Sequence, residues 1–252
     1  MDVNRTLVAD GLYQYQFPPN EGEMYGFNLY ALLSKKQALL IDTAYEQQAA
    51  EVLADLVAND YTIEHILISH FHPDHVSGLK ALPTATVWGS DQYALSLDDY
   101  YSSQAQQSLP PVQGLSNSFV LEFHPFTLTF RLAPGHSPCS MYTIIDNRYI
   151  HVADNLMATN DGTPLLPWAP LDQVENHIQS LQLLKELQPQ MVLLAHGQSI
   201  EGGLAIHAAI DDRIKYLQVV WETNGEATFE EATAHCSRPF VGKGWHISSS
   251  EQ

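Results

Sequence analysis

Residues 66–78 read "ILISHFHPDHVSG", and the rest of the chain is best understood outward from them. An apolar run of strand character gives way to His70, His72, Asp74 and His75, four metal-ligating side chains within six positions. The end of a strand, where a loop opens, is where α/β sheets bind their ligands. Pro73 pushes His72 into an extended conformation, so His70 and His72, two apart, project to the same side and can share one ion. Asp74 follows the proline at a helix start, which turns Asp74 and His75 toward a different ion. The spacing predicts two metals side by side. Four ligands cannot complete two sites of at least four-fold coordination, so others must come from distant segments.

Three segments offer them. "RLAPGHSP" presents His136 in a turn just after a strand, "YIHVADNL" ends a strand near Asp154, and "MVLLAHGQ" ends one at His196 before a glycine. Each places a ligand-type residue beyond the C-terminal end of an apolar strand, as the first cluster does. The other histidines, His65, His124, His151, His177, His207, His235 and His246, lack such a pattern and read as structural or surface residues.

Periodicity supplies the frame. Strands are expected at Thr6–Val8, Tyr13–Phe17, Phe27–Leu33, Ala38–Ile41, Ile63–Ile68, Thr86–Trp88, Phe119–Phe123, Phe126–Leu132, Met141–Ile145, Tyr149–Val152 and Met191–Ala195. Helices are expected over Glu46–Leu56, Leu171–Leu187, Leu204–Trp221 and Phe229–His235. Two polar or proline-rich stretches, "YYSSQAQQSLPPVQGLSNS" and "MATNDGTPLLPWAP", are long for simple connections and are candidate substrate-facing loops. Met157, Leu165, Leu166 and Trp168 in the second suggest an apolar wall beside the metals.

Composition bounds the function. The 252 residues fit one large domain or a domain with an appendage, and no apolar run approaches the roughly 20 residues of a membrane helix. A formal charge of −18, with 11 basic residues, argues against nucleic acid and anionic membranes as partners and leaves a small-molecule substrate. The N-terminus lacks the basic and apolar regions of a secretory signal, and two cysteines suit a reducing compartment, so a cytoplasmic location is expected.

The order His-x-His-x-Asp-His, single His, Asp and final His resembles the metallo-β-lactamase superfamily, and every position of that pattern is matched between His70 and His196. The resemblance implies an α/β fold of the four-layer αββα sandwich type, with the metals at one edge. Residues 1–203 would form the catalytic domain and residues 204–252 a C-terminal helical extension packed on it. It further implies a first metal on His70, His72 and His136, a second on Asp74, His75 and His196, and Asp154 bridging them. Nitrogen-rich ligation with carboxylates favours zinc, with iron and manganese as alternatives. Asp42, at the end of "ALLID", matches the family's early aspartate and would orient a histidine ligand from behind. The competing local reading makes Thr43-x-x-Glu46 a capping box for the next helix.

Two adjacent cations activate water and polarise the attacked group, so hydrolysis is the expected reaction, with Asp74 orienting the nucleophile or shuttling its proton. Branches of the superfamily separate on individual residues. His72 stands where flavodiiron oxidoreductases carry glutamate, and Asp154 where classical β-lactamases carry cysteine or serine. The basic, glycine-rich segment of glyoxalase II is absent after Asp154. Lactonases of acyl-homoserine lactones share "APGHSP" but carry tyrosine where Met157 stands, so no phenolic proton donor is expected and a thiolate leaving group is favoured. The C-terminal region resembles the helical cap of a hydrolase branch, some members of which cleave RNA. The reading is a dinuclear hydrolase of a small ester or thioester. A lactonase and a mononuclear iron persulfide dioxygenase are the alternatives.

Overall fold

A computed structural model describes residues 4–117 and 119–249. The first half of the chain forms a sheet of seven strands in sequence order: β1 Arg5–Ala9, β2 Leu12–Gln16, β3 Asn28–Ser34, β4 Gln37–Ile41, β5 Thr62–Leu67, β6 Thr86–Ser90 and β7 Val112–Leu115. The first four pair antiparallel and the last four parallel, with helix α1 (Glu46–Ala58) crossing over between β4 and β5. Short helices α2 (Pro73–Val76), α3 (Leu97–Tyr100) and α4 (Ser103–Gln107) fill the connections beyond β5 and β6.

The second sheet holds β8 Val120–Phe123, β9 Phe126–Leu132, β10 Met141–Ile145, β11 Tyr149–His151, β12 Met191–Leu193 and β13 Ile200–Glu201, in the order β13-β12-β11-β10-β9-β8. Helix α5 (Val174–Glu186) crosses over between the parallel strands β11 and β12, while α6 (Gly203–Glu222) and α7 (Phe229–Thr233) close the chain.

Three apolar clusters separate the layers. Leu32, Leu39 and Leu67 of the first sheet meet Leu128, Phe130 and Ile145 of the second between the sheets. Val52 and Leu56 of α1 pack on Leu40 and Ile66, and Ile178 and Leu181 of α5 pack with Ile210 and Leu217 of α6 on Ile144 and Ile150. Burying one such side chain is worth about 1.5–3 kcal/mol, so each interface orients a whole layer. The result is the αββα order, and α6 shares its cluster with α5. Among the described residues no helix is long and apolar enough to cross a membrane.

The tail is tied to the loop after β11 by Arg213 of α6, which is 1% exposed. Its guanidinium donates to the carbonyls of Ala209, Met157 and Leu165, and burial lowers its pKa to about 9. Next to it, Asp212 accepts from Ser237 N and Oγ, both at 2.7 Å.

Two local expectations change. Tyr45, not Thr43, is the N-cap of α1, and Thr43 Oγ1 instead donates to the His75 carbonyl at 2.7 Å. A capping box does occur, at Thr228 and Glu231 before α7. Of the polar stretch that begins at Tyr100, residues 100–117 carry regular elements, since α4 and β7 lie in it; β7 completes the parallel edge by pairing with β6, and Ser118 lies outside the described residues.

Candidate metal centre

The ligand-type residues sit beyond the C-terminal ends of five strands: Asp42 after β4, His70 after β5, His136 after β9, Asp154 after β11 and His196 after β12. His72 caps α2 with extended backbone (φ −79°, ψ 155°), and Asp74 and His75 lie within that helix behind Pro73. Both sheets therefore deliver side chains to one rim. Donor atoms of His70, His72 and His136 lie within 4.8 Å of one another, as do those of Asp74, His75, Asp154 and His196.

Asp154 stands between the groups. Its Oδ2 is 3.2 Å from His196 Nε2, 3.5 Å from His136 Nε2 and 4.0 Å from His70 Nε2, while Oδ1 is 3.5 Å from His75 Nε2. Nitrogens bound to one tetrahedral zinc ion at about 2.0–2.1 Å stand roughly 3.3 Å apart. His136 Nε2 and His72 Nδ1 are 3.1 Å apart. Asp154 Oδ1 and the Nε2 atoms of His70, His75 and His196 are buried without a hydrogen-bond partner, an expensive condition for polar atoms unless a cation takes them up. The residues fit a pair of divalent metal ions.

The far sides of the rings are fixed. Asp42 accepts from Ser69 N at 2.8 Å and Ser69 Oγ at 2.7 Å, and its Oδ2 lies 2.8 Å from His75 Nδ1. His70 Nδ1 is 3.3 Å from the same Ser69 Oγ. His136 Nδ1 donates to the Trp168 carbonyl at 3.0 Å and His196 Nδ1 to the Gly26 carbonyl at 2.9 Å. These contacts set tautomers that leave Nε2 free for a cation. Glycine is required at position 26, because a Cβ there would stand 2.0 Å from the Phe17 carbonyl oxygen. Asp42 (φ 60°) and Ala153 (φ 49°), beside the metal-facing residues, hold left-handed backbone, strain that the surrounding contacts must maintain.

The two groups differ electrically. Burial lowers the pKa values of His70, His72 and His136, that of His72 to about 3, so these rings are neutral. Burial opposes charge on His75 and His196 too, but Asp154 and Asp74 outweigh it, holding His75 well above its ordinary value and raising His196 to about 10. The histidines in turn outweigh burial at the carboxylates: Asp74 falls to about 2 and Asp154 well below the usual range.

A cavity of about 250 Å³ opens on this rim, lined by His72, Asp74, His136 and Asp154 together with Tyr25, Tyr100, Met157, Trp168 and Trp245. Met157 and Trp168 are thus on its wall. Leu165 and Leu166, expected there, are fully buried and do not line it: Leu166 packs in the cluster under α5 and α6, and the Leu165 carbonyl accepts from Arg213. Although Met157 stands in place of the lactonase tyrosine, two other phenols, Tyr25 and Tyr100, line the cavity. Tyr25 packs edge-on to His196 with centroids 4.6 Å apart, and Tyr100 lies 4.2 Å from the His72 ring. Tyr25 and Trp245 carry no ligand pattern, so only their position in the fold reveals them, whereas Tyr100 opens one of the two stretches expected to face the substrate. His151 lies behind the site, its Nε2 3.7 Å from Asp42.

Comparisons agree with this geometry. Residues 27–196 match the model of the metallo-beta-lactamase superfamily. Thioesterase pkgB of Emericella nidulans is 24% identical over 186 residues, covering 73% of this chain and 49% of that protein. The atrochrysone carboxyl ACP thioesterase of Aspergillus fumigatus is 24% identical over 189 residues, 73% of this chain and 54% of its own length. The chain spans about half the length of such curated relatives. Among solved structures, a metallo-beta-lactamase from Pontibacter korlensis superposes with a TM-score of 0.69 at 14% identity, covering 86% of this chain and 99% of that one. A metallo-beta-lactamase family protein from Thermus thermophilus gives 0.67 at 16% identity, with 91% of each chain covered. With the family model spanning the whole ligand set and the two-sheet fold shared, the chain belongs to the metallo-beta-lactamase superfamily.

Proposed function

We propose that this superfamily hydrolase binds two divalent metal ions, zinc foremost, and hydrolyses small thioesters and esters. The observation that carries the reading is Asp154 standing between two ligand groups, with its Oδ1 and the Nε2 atoms of His70, His75 and His196 buried and unpartnered. His70, His72 and His136 would hold one ion, Asp74, His75 and His196 the other, with Asp154 shared. When bound, such a pair supplies Lewis acidity toward a carbonyl oxygen and makes water acidic enough to react near neutral pH.

The chain's own groups do the rest. Asp74, ionised and 17% exposed on the cavity wall, can accept the proton of an attacking water and return it to the leaving group. Tyr25 and Tyr100 line the cavity, and a phenol can donate to a carbonyl or leaving oxygen. A thiolate leaves without such help, because its conjugate acid has a pKa of about 8.5. Thioesters therefore come first, and thioesterase-named relatives support that order. The two phenols favour a second reading in which oxygen esters and lactones are also turned over.

The test is elemental analysis of the protein combined with kcat/KM for matched thioester, aryl ester, lactone and β-lactam substrates, with a structured RNA as control. About two ions per chain, and activity falling in that order, are expected. A reproducible single ion, oxygen consumption with a persulfide, or a β-lactam or RNA turned over faster than every thioester would overturn the proposal.

A further inference from the structure

Two tryptophans of the metal-side cavity, Trp168 and Trp245, are shared with a neighbouring cleft. This second cleft, of about 280 Å³, is completed by Ala169–Leu171 on one side and by Gly244 and His246–Ser248 on the other. Both tryptophans are tied to the ligand groups. The Trp168 carbonyl accepts from His136, and the Trp245 ring packs on Tyr25, centroids 5.6 Å apart, which packs on His196.

Among the described residues, the wall of the second cleft has no acidic or basic side chain apart from His246. Both nitrogens of that ring are engaged: Nε2 donates to the Ala227 carbonyl at 2.8 Å, and Nδ1 lies 3.1 Å from the Tyr216 hydroxyl. That ring has no free nitrogen to offer a phosphate or carboxylate. The cleft's indole wall suits a planar or unsaturated group, since flat faces stack on indole rings.

We propose that Trp168 and Trp245 form a clamp across which one substrate spans both cavities, placing its thioester or ester at the metals and an uncharged, partly planar arm in the second cleft. This rests on the hydrolase reading and adds a substrate class to it: elongated and neutral, without a phosphorylated arm. Either the acyl or the thiol side can supply that arm, and the test separates them.

Gly244 gives access to the question. It lines the second cleft, and a Cβ built there meets nothing within 4 Å, so Gly244→Phe adds bulk without displacing the core. KM and kcat are measured for two thioester series, one lengthening the acyl group from acetyl to benzoyl to naphthoyl on a fixed neutral thiol, the other lengthening the thiol on a fixed acetyl group. A version of the longest thiol ending in phosphate is included.

In one series extension should lower KM about tenfold in the wild type, as expected for adding aromatic contacts, and phosphate should cancel the gain. Gly244→Phe and Trp245→Ala should each collapse the long-to-short ratio toward one while metal content stays at the wild-type level. Ratios unchanged in both variants, or a gain from the phosphate, would overturn the clamp. Calorimetric binding of a non-hydrolysable naphthyl thioether keeps the two proposals separable: binding lost in Gly244→Phe supports the clamp even if no thioester is cleaved, and binding equal in wild type and variant sinks it even if thioesters are cleaved.

Discussion

The two ligand groups of the candidate metal centre flank one carboxylate, Asp154, and are otherwise built on opposite principles. His70, His72 and His136 form a neutral pocket, with burial keeping protons off and no acidic residue of its own. Asp74, His75 and His196 form an ion-paired pocket in which charge balance is reached inside the protein, and Asp42 anchors His75 from behind. The difference teaches that protons can be disfavoured on one group and favoured on the other within a few ångströms: Asp154 is 3.5 Å from both His136 and His75, but Asp74 stands 3.4 Å from His196 and 3.7 Å from His75, and Asp42 2.8 Å from His75.

The largest effect should come from removing what the halves share. Asp154→Ala is expected to lower kcat/KM by on the order of 10³-fold and to reduce metal content at both positions. His136→Ala and His196→Ala should each cost chiefly one ion, read by elemental analysis. If Asp154→Ala loses only one ion, the shared carboxylate is not shared.

A smaller, one-sided effect is expected of Asp42→Asn. The substitution keeps size but removes the charge behind His75, so affinity at the ion-paired half should fall about 10–100-fold while the neutral half is spared. Competition with a chromophoric chelator reads both steps. Equal weakening of the two would erase the distinction between the halves.

The smallest effect lies in the pH dependence of the metal-free chain's stability, and the halves should pull it in opposite directions. His72, with its folded pKa depressed to about 3, leaves the unfolded chain to take up the proton below pH 6.5, so stability falls as pH drops from 6.5 toward 3. His196, raised to about 10, contributes stability that is complete below pH 6.5 and lost as pH climbs through 10. Urea midpoints across this range should show both limbs, His72→Asn reducing the acid one, to which His70, His136, His151 and His177 also contribute, and His196→Asn reducing the alkaline one, which His75 shares. A single limb removed by either substitution would mean that the halves titrate as one unit.

The ligand cluster is legible in the sequence because its chemistry requires scarce residue types at fixed spacing, and because strands expose their C-terminal ends to a common rim. The frame is legible for a similar reason: β9 and β10 fall where alternation and apolar runs put them, at Phe126–Leu132 and Met141–Ile145. The cavity wall is not. Leu165 and Leu166 follow the bridging aspartate closely in sequence, but Arg213 draws that loop inward by its carbonyls and buries both side chains. Tyr25, Tyr100 and Trp245 come from segments far apart in the chain, and aromatic residues occupy cores and surfaces too commonly to announce a pocket. Thr43 reads as a helix cap because a local motif competes with a tertiary partner, the His75 carbonyl, that sequence spacing does not show.

Arg213 also bears on inheritance. The family-model match ends at residue 196, yet the loop inside it that carries Met157 and Trp168 is held by a cation beyond that boundary. The unit that recombination can move intact is therefore longer than the stretch that the family model spans. A tail exchanged between relatives would have to bring an equivalent donor for two carbonyls at the right depth, or the recipient would keep its ligands and lose the shape of its substrate cavity.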